Sequence, residues 1–331
     1  MRVLVTGGAG YIGSITTRAL IERGYDVCVI DTLEKGHRWA VDARATFFEG
    51  SVGDKELVMR ALQGVDVVMH LAGYIEVGES TRDPERYFHN NVDNAKVLLD
   101  CMMACGAKAL VFSSTAAVYG QPKRVPLLED DELAPINPYG ESKLRFERLL
   151  DEYAQKGFRS IRFRYFNVAG AWPDGSLGEA HHPETHLIPN IINAFLTSDK
   201  AVHIFGDDYP TKDGTCVRDY IHVCDLARAH IAALEALVAG EPGGIYNLGN
   251  GQGFSNREIV HACAHVIGLS EREEAECVII DEKRHGDPAV LIASSQRAYE
   301  RFGWKPQYNQ VNDIISHAVL WHKNQLEKKD N

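Results

Sequence analysis

The sequence has few of the features that mark membrane-inserted, secreted or nucleic-acid-binding proteins. It contains no apolar run of about 20 residues, the length that a membrane-spanning helix needs. Its first residues show no basic segment leading into a long apolar stretch. Lys and Arg number 35 against 46 Asp and Glu, which gives a formal net charge of −11. Because phosphate backbones are held mainly by clustered Lys and Arg, this negative charge argues against a nucleic acid as a partner. The lack of a long apolar run argues against a membrane as a partner.

Cysteine is also sparse and irregularly placed. The seven cysteines include no CxxC pair, so neither a disulfide framework nor a cysteine zinc site is expected. We therefore predict a reducing compartment, the cytoplasm. His181, His182 and His186 lie close together in the sequence, but histidines in a loop without nearby cysteine more often face solvent or line the rim of a ligand site. We predict no metal site.

The sequence does contain a regular alternation of strand-like and helix-like segments up to residue 165. Short apolar runs predict strands at residues 3–6, 26–31, 46–49, 65–71, 109–113 and 160–165. Helical spacing predicts helices at residues 12–23, 55–62, 84–105 and 139–155. Continuous apolar runs are typical of parallel strands that are covered on both faces. We therefore predict an α/β fold with a Rossmann-type doubly wound parallel sheet.

The rest of the chain is less regular. Residues 167–185 contain Gly, Pro and Asp with little periodicity and predict a long loop, which is usually functional. Residues 222–239 and 245–249 predict a helix and a strand that rejoin the first sheet. We therefore divide the chain into a first domain, residues 1–167 with about 222–250, and a smaller C-terminal α/β domain, about 168–221 with 251–331.

A glycine-rich turn follows the first predicted strand and opens the first helix. Gly7, Gly10 and Gly13 allow a tight turn, let backbone N–H groups approach a pyrophosphate, and let helix and strand pack closely. Asp31 ends the second strand, where a carboxylate accepts hydrogen bonds from adenosine ribose hydroxyls and repels a 2′-phosphate. The pattern predicts a dinucleotide site that favours NAD over NADP, although Lys35 and Arg38 lie nearby.

A tyrosine and a lysine share one face of the helix that begins near residue 138. Tyr139 and Lys143 are four residues apart. A nearby ammonium group and a positive nicotinamide ring favour the phenolate, so we predict a lowered pKa for Tyr139 and a role as general base. Thr115 follows the apolar run 109–113 at the carboxyl edge of the sheet and can hydrogen-bond the hydroxyl that is oxidised. These residues predict NAD-dependent redox chemistry.

These motifs, in this order, resemble those of the extended short-chain dehydrogenase/reductase family. Further segments, 72–80 (AGYIEVGES), 164–170 (RYFNVAG), 205–223 (FGDDYPTKDGTCVRDYIHV), 246–249 (YNLG) and 284–287 (RHGD), are similar to its UDP-glucose 4-epimerase branch over the whole length. The resemblance implies an enzyme with bound NAD that interconverts UDP-glucose and UDP-galactose through a 4-keto sugar. It also implies that Tyr139 is the base, Thr115 its hydrogen-bonding partner and Lys143 the anchor of the cofactor.

The resemblance implies a full set of binding residues as well. Those for NAD are Gly7, Gly10, Tyr11, Ile12, Gly13, Asp31, Ser51, Val52, Leu71, Ala72, Gly73, Asn91, Ser113, Tyr139, Lys143 and Tyr165. Those for the UDP-sugar are Thr115, Tyr139, Asn167, His186, Leu187, His203, Phe205, Arg218, Arg284, Asp287 and Leu291. Without the motif, a salt bridge from Arg218 to Asp219 or Asp225 would be the default interpretation.

Some positions depart from the pattern of the best-known members. Ile75 replaces a lysine that touches the cofactor phosphates, Ser51 replaces an aspartate near the adenine, and His186 replaces an asparagine. Loss of that lysine weakens the retention of NAD, so we expect the cofactor to copurify only in part.

Several alternatives remain open on the sequence alone. Nucleotide-sugar dehydratases and decarboxylases carry acidic residues after the strand-end Ser/Thr, whereas Ala116 and Ala117 follow Thr115 here. Epimerases that act on UDP-arabinose, UDP-xylose or UDP-N-acetylhexosamines stay possible, because Leu291 is intermediate in size at the position that gates the N-acetyl group. A non-enzymatic NAD-binding protein on the same fold is the remoter alternative.

Two long predicted helices bear on assembly. Residues 84–105 and 139–155 carry apolar stripes, and their counterparts in the family pair across a two-fold axis. We therefore predict a homodimer.

Overall fold

The structure is a computed structural model that describes residues 1–197, 201–284 and 286–330. Its strands are β1 Arg2–Thr6, β2 Asp26–Asp31, β3 Thr46–Glu49, β4 Val67–His70, β5 Ala109–Thr115, β6 Arg159–Tyr165, β7 Asn167–Ala169, β8 Val202–Phe205, β9 Val217–His222, β10 Gly243–Leu248, β11 Gly253–Ser255, β12 Val278–Asp281 and β13 Val290–Leu291. Its α-helices are α1 Tyr11–Glu22, α2 Lys55–Ala61, α3 Val77–Arg82, α4 Pro84–Phe88, α5 Asn94–Cys105, α6 Pro138–Ala154, α7 Leu187–Thr197, α8 Val223–Val238, α9 Asn256–Ile267, α10 Glu271–Cys277, α11 Gln296–Phe302 and α12 Val311–Asp330.

Seven strands form one parallel sheet in the order β10-β6-β5-β4-β1-β2-β3. The apolar runs of the sequence become its central strands, and side chains alternate between two covered faces. Along β1, Val3 and Val5 join the apolar layer formed with α1 and α8. Leu4, between them, joins the opposite layer formed with α2, α5 and α6. The predicted α/β class and doubly wound parallel sheet are confirmed.

The chain leaves the large sheet and returns to it. The expected late strand is present as β10, which pairs in parallel with β6, and the expected helix is present as α8. The direction in which strands are added reverses at β1, since β2 and β3 lie on one side of it and β4, β5 and β6 on the other. Such a reversal opens a crevice at the carboxyl ends of the strands.

Two local predictions need correction. The helix expected over residues 84–105 is interrupted, because a π-helical turn, His89–Asp93, separates α4 from α5. This turn buries the side chain of Asn91 beneath the crevice, which apolar periodicity does not reveal. The loop expected over residues 167–185 begins as strand β7, which pairs in parallel with β9. That pairing depends on a segment about 50 residues away, so local composition missed it.

The smaller part of the protein is built on β7, β9, β11 and β13, with β8 and β12 forming a separate parallel pair. Helices α7, α9 and α12 contribute to its apolar core. In the part of the chain that the structure describes, no helix has both the length and the apolar character needed to cross a membrane.

Candidate active site

The β1–α1 turn shows why its glycines are required. Gly7 has a φ of +72°, and a Cβ there would lie 2.6 Å from the backbone nitrogen of Ala72. A Cβ on Gly13 would lie 2.0 Å from the carbonyl oxygen of Gly7. At Gly10 the nearest atom to a Cβ would be 3.4 Å away, so this glycine leaves open the space in front of the helix. The turn therefore lies tightly against the end of β4 and exposes the positive N-terminus of α1.

The N-terminus of α1 opens onto a cavity of about 390 Å³. All the predicted NAD residues except Asn91 and Lys143 line this cavity: Gly7, Gly10, Tyr11, Ile12, Gly13, Asp31, Ser51, Val52, Leu71, Ala72, Gly73, Ser113, Tyr139 and Tyr165. Of the predicted substrate residues, Thr115, Asn167, His186 and Leu187 also line it. The structure thus brings the expected cofactor residues and part of the expected substrate set to one cavity.

Asp31 is held in place at the end of β2. One carboxylate oxygen accepts the N–H of Ala9 at 2.9 Å, and the other accepts the N–H of Leu33 at 2.8 Å. Burial raises the pKa of Asp31, and these two hydrogen bonds act in the opposite direction. Each oxygen keeps a further acceptor position. Lys35 is engaged by Glu76 at 3.1 Å, so the nearby cation is already partnered by a carboxylate.

Tyr139 and Thr115 meet at the wall of the same cavity. Asn137 caps α6 by accepting the N–H of Gly140 at 2.8 Å, and Pro138 occupies the first turn. This start places Tyr139 next to the carboxyl end of β5, beside the side chain of Thr115. Burial raises the pKa of Tyr139, and the neighbouring Thr115 side chain offsets that rise only in part. The protein groups alone therefore raise this pKa, whereas the lowering predicted from the sequence also involves a bound nicotinamide ring.

Lys143 explains that difference. Its side chain is buried, its Nζ donates to the carbonyl of Ser113 at 3.0 Å, and it lies 5.1 Å from the centre of the Phe112 ring. Burial lowers the pKa of Lys143 to about 8. The ammonium group is thus itself destabilised and is directed toward the backbone of β5.

Asn91 and Lys143 lie directly beneath the cavity wall. The Asn91 amide oxygen accepts the N–H of Tyr74 at 2.8 Å, and its Nδ2 donates to the carbonyl of Tyr74 and to Ser142 at 3.0 Å each. A Cβ on Gly73 would lie 3.1 Å from this amide oxygen and 3.2 Å from the Lys143 Nζ. Gly73 therefore lets both side chains reach the cavity floor, and Asn91 ties the β4 loop to α6.

The other predicted substrate residues form a second group in the smaller part: His203, Phe205, Arg218, Arg284, Asp287 and Leu291. The Arg284 guanidinium lies 3.7 Å from the centre of the Phe205 ring. Arg218 pairs with Asp287 at 2.7 Å, so the default salt bridge to Asp219 or Asp225 is wrong. Each of the two arginines thus contacts another residue of the predicted substrate set. This group does not line the cavity described above.

This second group borders the segment that follows Thr115. The side-chain amide of Gln121 donates to the carbonyl of Gly286 at 2.5 Å. Leu291 packs in an apolar cluster with Ala116 and Val118. The turn that carries Arg284 and Asp287 is therefore anchored close to the strand end that presents Thr115.

Comparison with known proteins agrees with this geometry. The model of the NAD dependent epimerase/dehydratase family matches residues 3–249. A UDP-glucose 4-epimerase from Lacticaseibacillus casei is 47% identical over 330 residues, which is 99% of this chain and 98% of the relative. This chain belongs to the NAD dependent epimerase/dehydratase family. The family predicted from the sequence motifs is confirmed.

Solved structures agree at the level of the whole fold. The UDP-glucose 4-epimerase from Brucella ovis in complex with NAD has a TM-score of 0.92 at 42% identity, covering 96% of this chain and 97% of that one. The UDP-glucose 4-epimerase from Bifidobacterium longum in complex with NAD+ and UDP has a TM-score of 0.92 at 34% identity, covering 98% and 99%. As a member of this epimerase/dehydratase family, the chain is an NAD-dependent enzyme, as predicted.

The residues of this family member also fit NAD on their own terms. Gly10 caps the N-terminus of α1 and lines the cavity there, where a pyrophosphate is favoured. The Asp31 carboxylate lies on the wall of the same cavity and suits ribose hydroxyls.

Sequence reasoning missed two acidic residues beside the histidines. Glu179 and Glu184 lie next to His181 and His186, and nitrogen or oxygen atoms of all four lie within 4.8 Å of one another. The signal in the sequence is the alternation of Glu and His over residues 178–186 (GEAHHPETH). His182, the third histidine, is exposed at the rim of the cavity.

Proposed function

We propose that this chain is an NAD-dependent UDP-glucose 4-epimerase. It inverts the fourth carbon of UDP-glucose and UDP-galactose reversibly through a transient 4-keto sugar. The juxtaposition of Tyr139 and Thr115 carries this proposal, because both side chains line the cavity that the glycine turn also lines. NAD held in this cavity supplies the acceptor and donor of a hydride.

The residues of the chain handle the proton. Thr115 hydrogen-bonds the 4-hydroxyl of the sugar, and Tyr139 takes its proton and returns it when the ketone is reduced. Because burial raises the pKa of Tyr139, deprotonation at neutral pH needs a positive charge close to the phenolic oxygen. NAD, when bound, would supply that charge through its nicotinamide ring, and Lys143 would help to hold the ribose of the cofactor.

The second group of residues holds the uridine diphosphate. Arg218 and Arg284 supply two guanidinium groups for a doubly charged diphosphate, and the Asp287 carboxylate suits ribose hydroxyls. Firm binding of the diphosphate, combined with weak contacts to the sugar, lets the 4-keto sugar rotate between the two hydride transfers, so that its opposite face is reduced. His186, Leu187, His203, Phe205 and Leu291 complete the proposed substrate set.

We also propose a division into domains, an oligomeric state and a cellular location for this protein. The first domain, residues 1–167 with about 222–250, binds NAD, and the remainder binds the UDP-sugar. The chain forms a homodimer through residues 84–105 and 139–155, where Val97 and Met103 of α5 and Leu149 of α6 remain partly exposed. The protein resides in the cytoplasm.

The decisive experiment is to incubate the purified chain with UDP-galactose, without added NADH, and to follow UDP-glucose by chromatography. Formation of UDP-glucose to a constant ratio, reached also from UDP-glucose as the starting material, supports the proposal. Turnover rates measured with UDP-arabinose, UDP-xylose and the UDP-N-acetylhexosamines show which sugar is preferred. Loss of water from the sugar, or no turnover of any sugar, would refute the proposed reaction.

A further inference from the structure

Four side chains converge just before α7 begins, and three of them, Glu179, His181 and His186, line the NAD cavity. They are Glu179, His181, Glu184 and His186, which we call the Glu/His cluster. Glu179 is buried, His181 and Glu184 are partly buried, and His186 is exposed at the cavity. None of the four takes part in the proton transfer proposed above. His186 alone belongs to the expected substrate-binding residues.

Three of the four histidine–carboxylate distances in the Glu/His cluster lie near those of a tetrahedral metal site, and the fourth is a direct hydrogen bond between His186 and Glu179. An ion about 2.1 Å from each ligand sets ligand–ligand separations of about 3.4 Å. The His181 Nδ1 lies 3.3 Å from the Glu179 carboxylate and 3.7 Å from that of Glu184. The His186 Nδ1 lies 3.7 Å from Glu184 and in short contact with Glu179. Both imidazoles therefore direct the same ring nitrogen toward the same two carboxylates.

One buried ring nitrogen in the Glu/His cluster contacts carboxylates without a well-aligned hydrogen bond. The His181 Nδ1 is buried, and its contacts with the Glu179 and Glu184 carboxylates, at 3.3 and 3.7 Å, do not have hydrogen-bond geometry, which leaves this ring nitrogen incompletely satisfied. A cation between the imidazole and the carboxylates would satisfy it. Two carboxylates and two neutral imidazoles balance the charge of one divalent ion, so no net charge is buried.

The backbone of the 179–186 loop is already fixed around this position. The carbonyl of Glu179 accepts the Trp321 indole N–H at 2.8 Å, and His37 lies 2.8 Å from the carbonyl of Ala180. One Glu184 oxygen accepts the N–H groups of Thr185 and His186 at 2.8 and 2.9 Å. Such contacts orient ligands before a metal binds and thereby favour binding.

We propose that the Glu/His cluster binds one divalent transition-metal ion of the zinc class. Two imidazole nitrogens and two carboxylate oxygens in a tetrahedral arrangement suit Zn²⁺, whereas Mg²⁺ requires octahedral oxygen ligands. All four ligands come from one short loop, so the ion has a structural role. It fixes the loop that forms one wall of the NAD cavity and leads into α7.

The test is a zinc measurement on the full chain, prepared without a polyhistidine tag and equilibrated with ZnCl₂ against a chelating dye. We expect one Zn²⁺ per chain to be retained, and Mg²⁺ not to displace it. The combined substitution His181→Gln and His186→Gln should abolish binding. His182→Gln is the matched control, because this neighbouring histidine lies outside the Glu/His cluster, and it should bind zinc as the unaltered chain does.

A second measurement does not depend on the folding of a variant. X-ray absorption at the zinc edge of the unaltered chain should show four nitrogen or oxygen ligands, including two imidazoles. Zinc should also raise the thermal unfolding midpoint of the unaltered chain but not that of the double variant. Failure to retain zinc, a six-ligand shell, or equal losses in the double variant and in His182→Gln would overturn the proposal.

Discussion

Glu147 of α6 forms a two-point ion pair with Arg164 of β6, and both side chains are almost completely buried. The guanidinium donates to the two carboxylate oxygens at 3.0 and 2.6 Å. The Ser114 hydroxyl donates to the same carboxylate at 2.5 Å. Since Ser114 precedes Thr115 and Glu147 follows Lys143 by four residues, this ion pair braces both elements that carry the proposed catalytic groups.

Substitution of Glu147 by glutamine should destabilise the protein strongly. The Arg164 guanidinium would remain buried without its counter-charge, and breaking such a pair costs about 3–5 kcal/mol. We expect the urea midpoint of the NAD-free chain to fall markedly. The control is Glu141→Gln, which removes the partner of Arg145 on an exposed turn of the same helix and should change stability by no more than about 0.5 kcal/mol. Equal effects of the two changes would contradict the bracing role.

Replacement of Tyr139 by phenylalanine should remove catalysis and leave binding intact. Loss of a general base lowers rates by about 10²- to 10⁴-fold, whereas the ring still packs against the cavity. Turnover of UDP-galactose and the affinity for NAD, measured on the same preparation, separate the two effects. Tyr153→Phe on the same helix should keep turnover, because its hydroxyl contacts Asp100. A Tyr139→Phe protein with normal turnover would exclude the proposed base.

Lys143→Met should stabilise the fold and abolish activity. Burial lowers the pKa of Lys143 from 10.5 to about 8, which corresponds to a cost on the order of 3 kcal/mol at neutral pH. Between pH 8 and 10.5 the unfolded chain binds more protons than the folded chain, so the stability of the unaltered protein rises with pH across this window. The free-energy cost of burying the Lys143 ammonium group is therefore fully present below pH 8.

The stabilisation by Lys143→Met should accordingly be largest near pH 7 and shrink toward pH 10. Loss of the hydrogen bond from Lys143 to the Ser113 carbonyl offsets about 1 kcal/mol of this stabilisation. Chemical denaturation at several pH values measures the difference, and Lys156→Met, at an exposed lysine, provides the reference. A destabilised Lys143→Met protein at pH 7 would show that the buried ammonium is not a cost.

Arg284→Ala should weaken the binding of UDP-sugars with little effect on kcat. A charge-assisted hydrogen bond to a diphosphate contributes about 1.5–3 kcal/mol, so KM should rise on the order of 10- to 100-fold. Binding of UDP alone should weaken in parallel. Lys283→Ala is the matched control, since the neighbouring lysine is paired with Asp208. If only kcat changed, Arg284 would act in the chemical step and not in binding.

Ile75 should limit the retention of NAD. The side chain is 41% exposed on the cavity wall, at the position where the family pattern has a lysine. We expect purified protein to carry NAD in only part of the molecules, and Ile75→Lys to increase that fraction. Ultraviolet absorbance of the supernatant after denaturation measures it. Ile136→Lys, at an exposed isoleucine outside the cavity lining, should leave the fraction unchanged.

The sequence by itself determined those features that depend on neighbours along the chain. Apolar runs at successive positions give the strands of the large sheet, because both faces of each strand are buried. Glycine spacing gives the β1–α1 turn, because the close approaches at Gly7 and Gly13 exclude any Cβ. The four-residue spacing of Tyr139 and Lys143 follows from the helical repeat.

Only the tertiary structure decided which distant residues meet. It paired Arg218 with Asp287, buried Asn91 in a π-helical turn, and directed Lys143 toward the Ser113 carbonyl. It also turned the 179–186 loop so that glutamates and histidines converge. The direction of a side chain and its loss of water depend on packing between segments far apart in the chain. Periodicity and spacing record only local geometry, so they carry no information about these contacts.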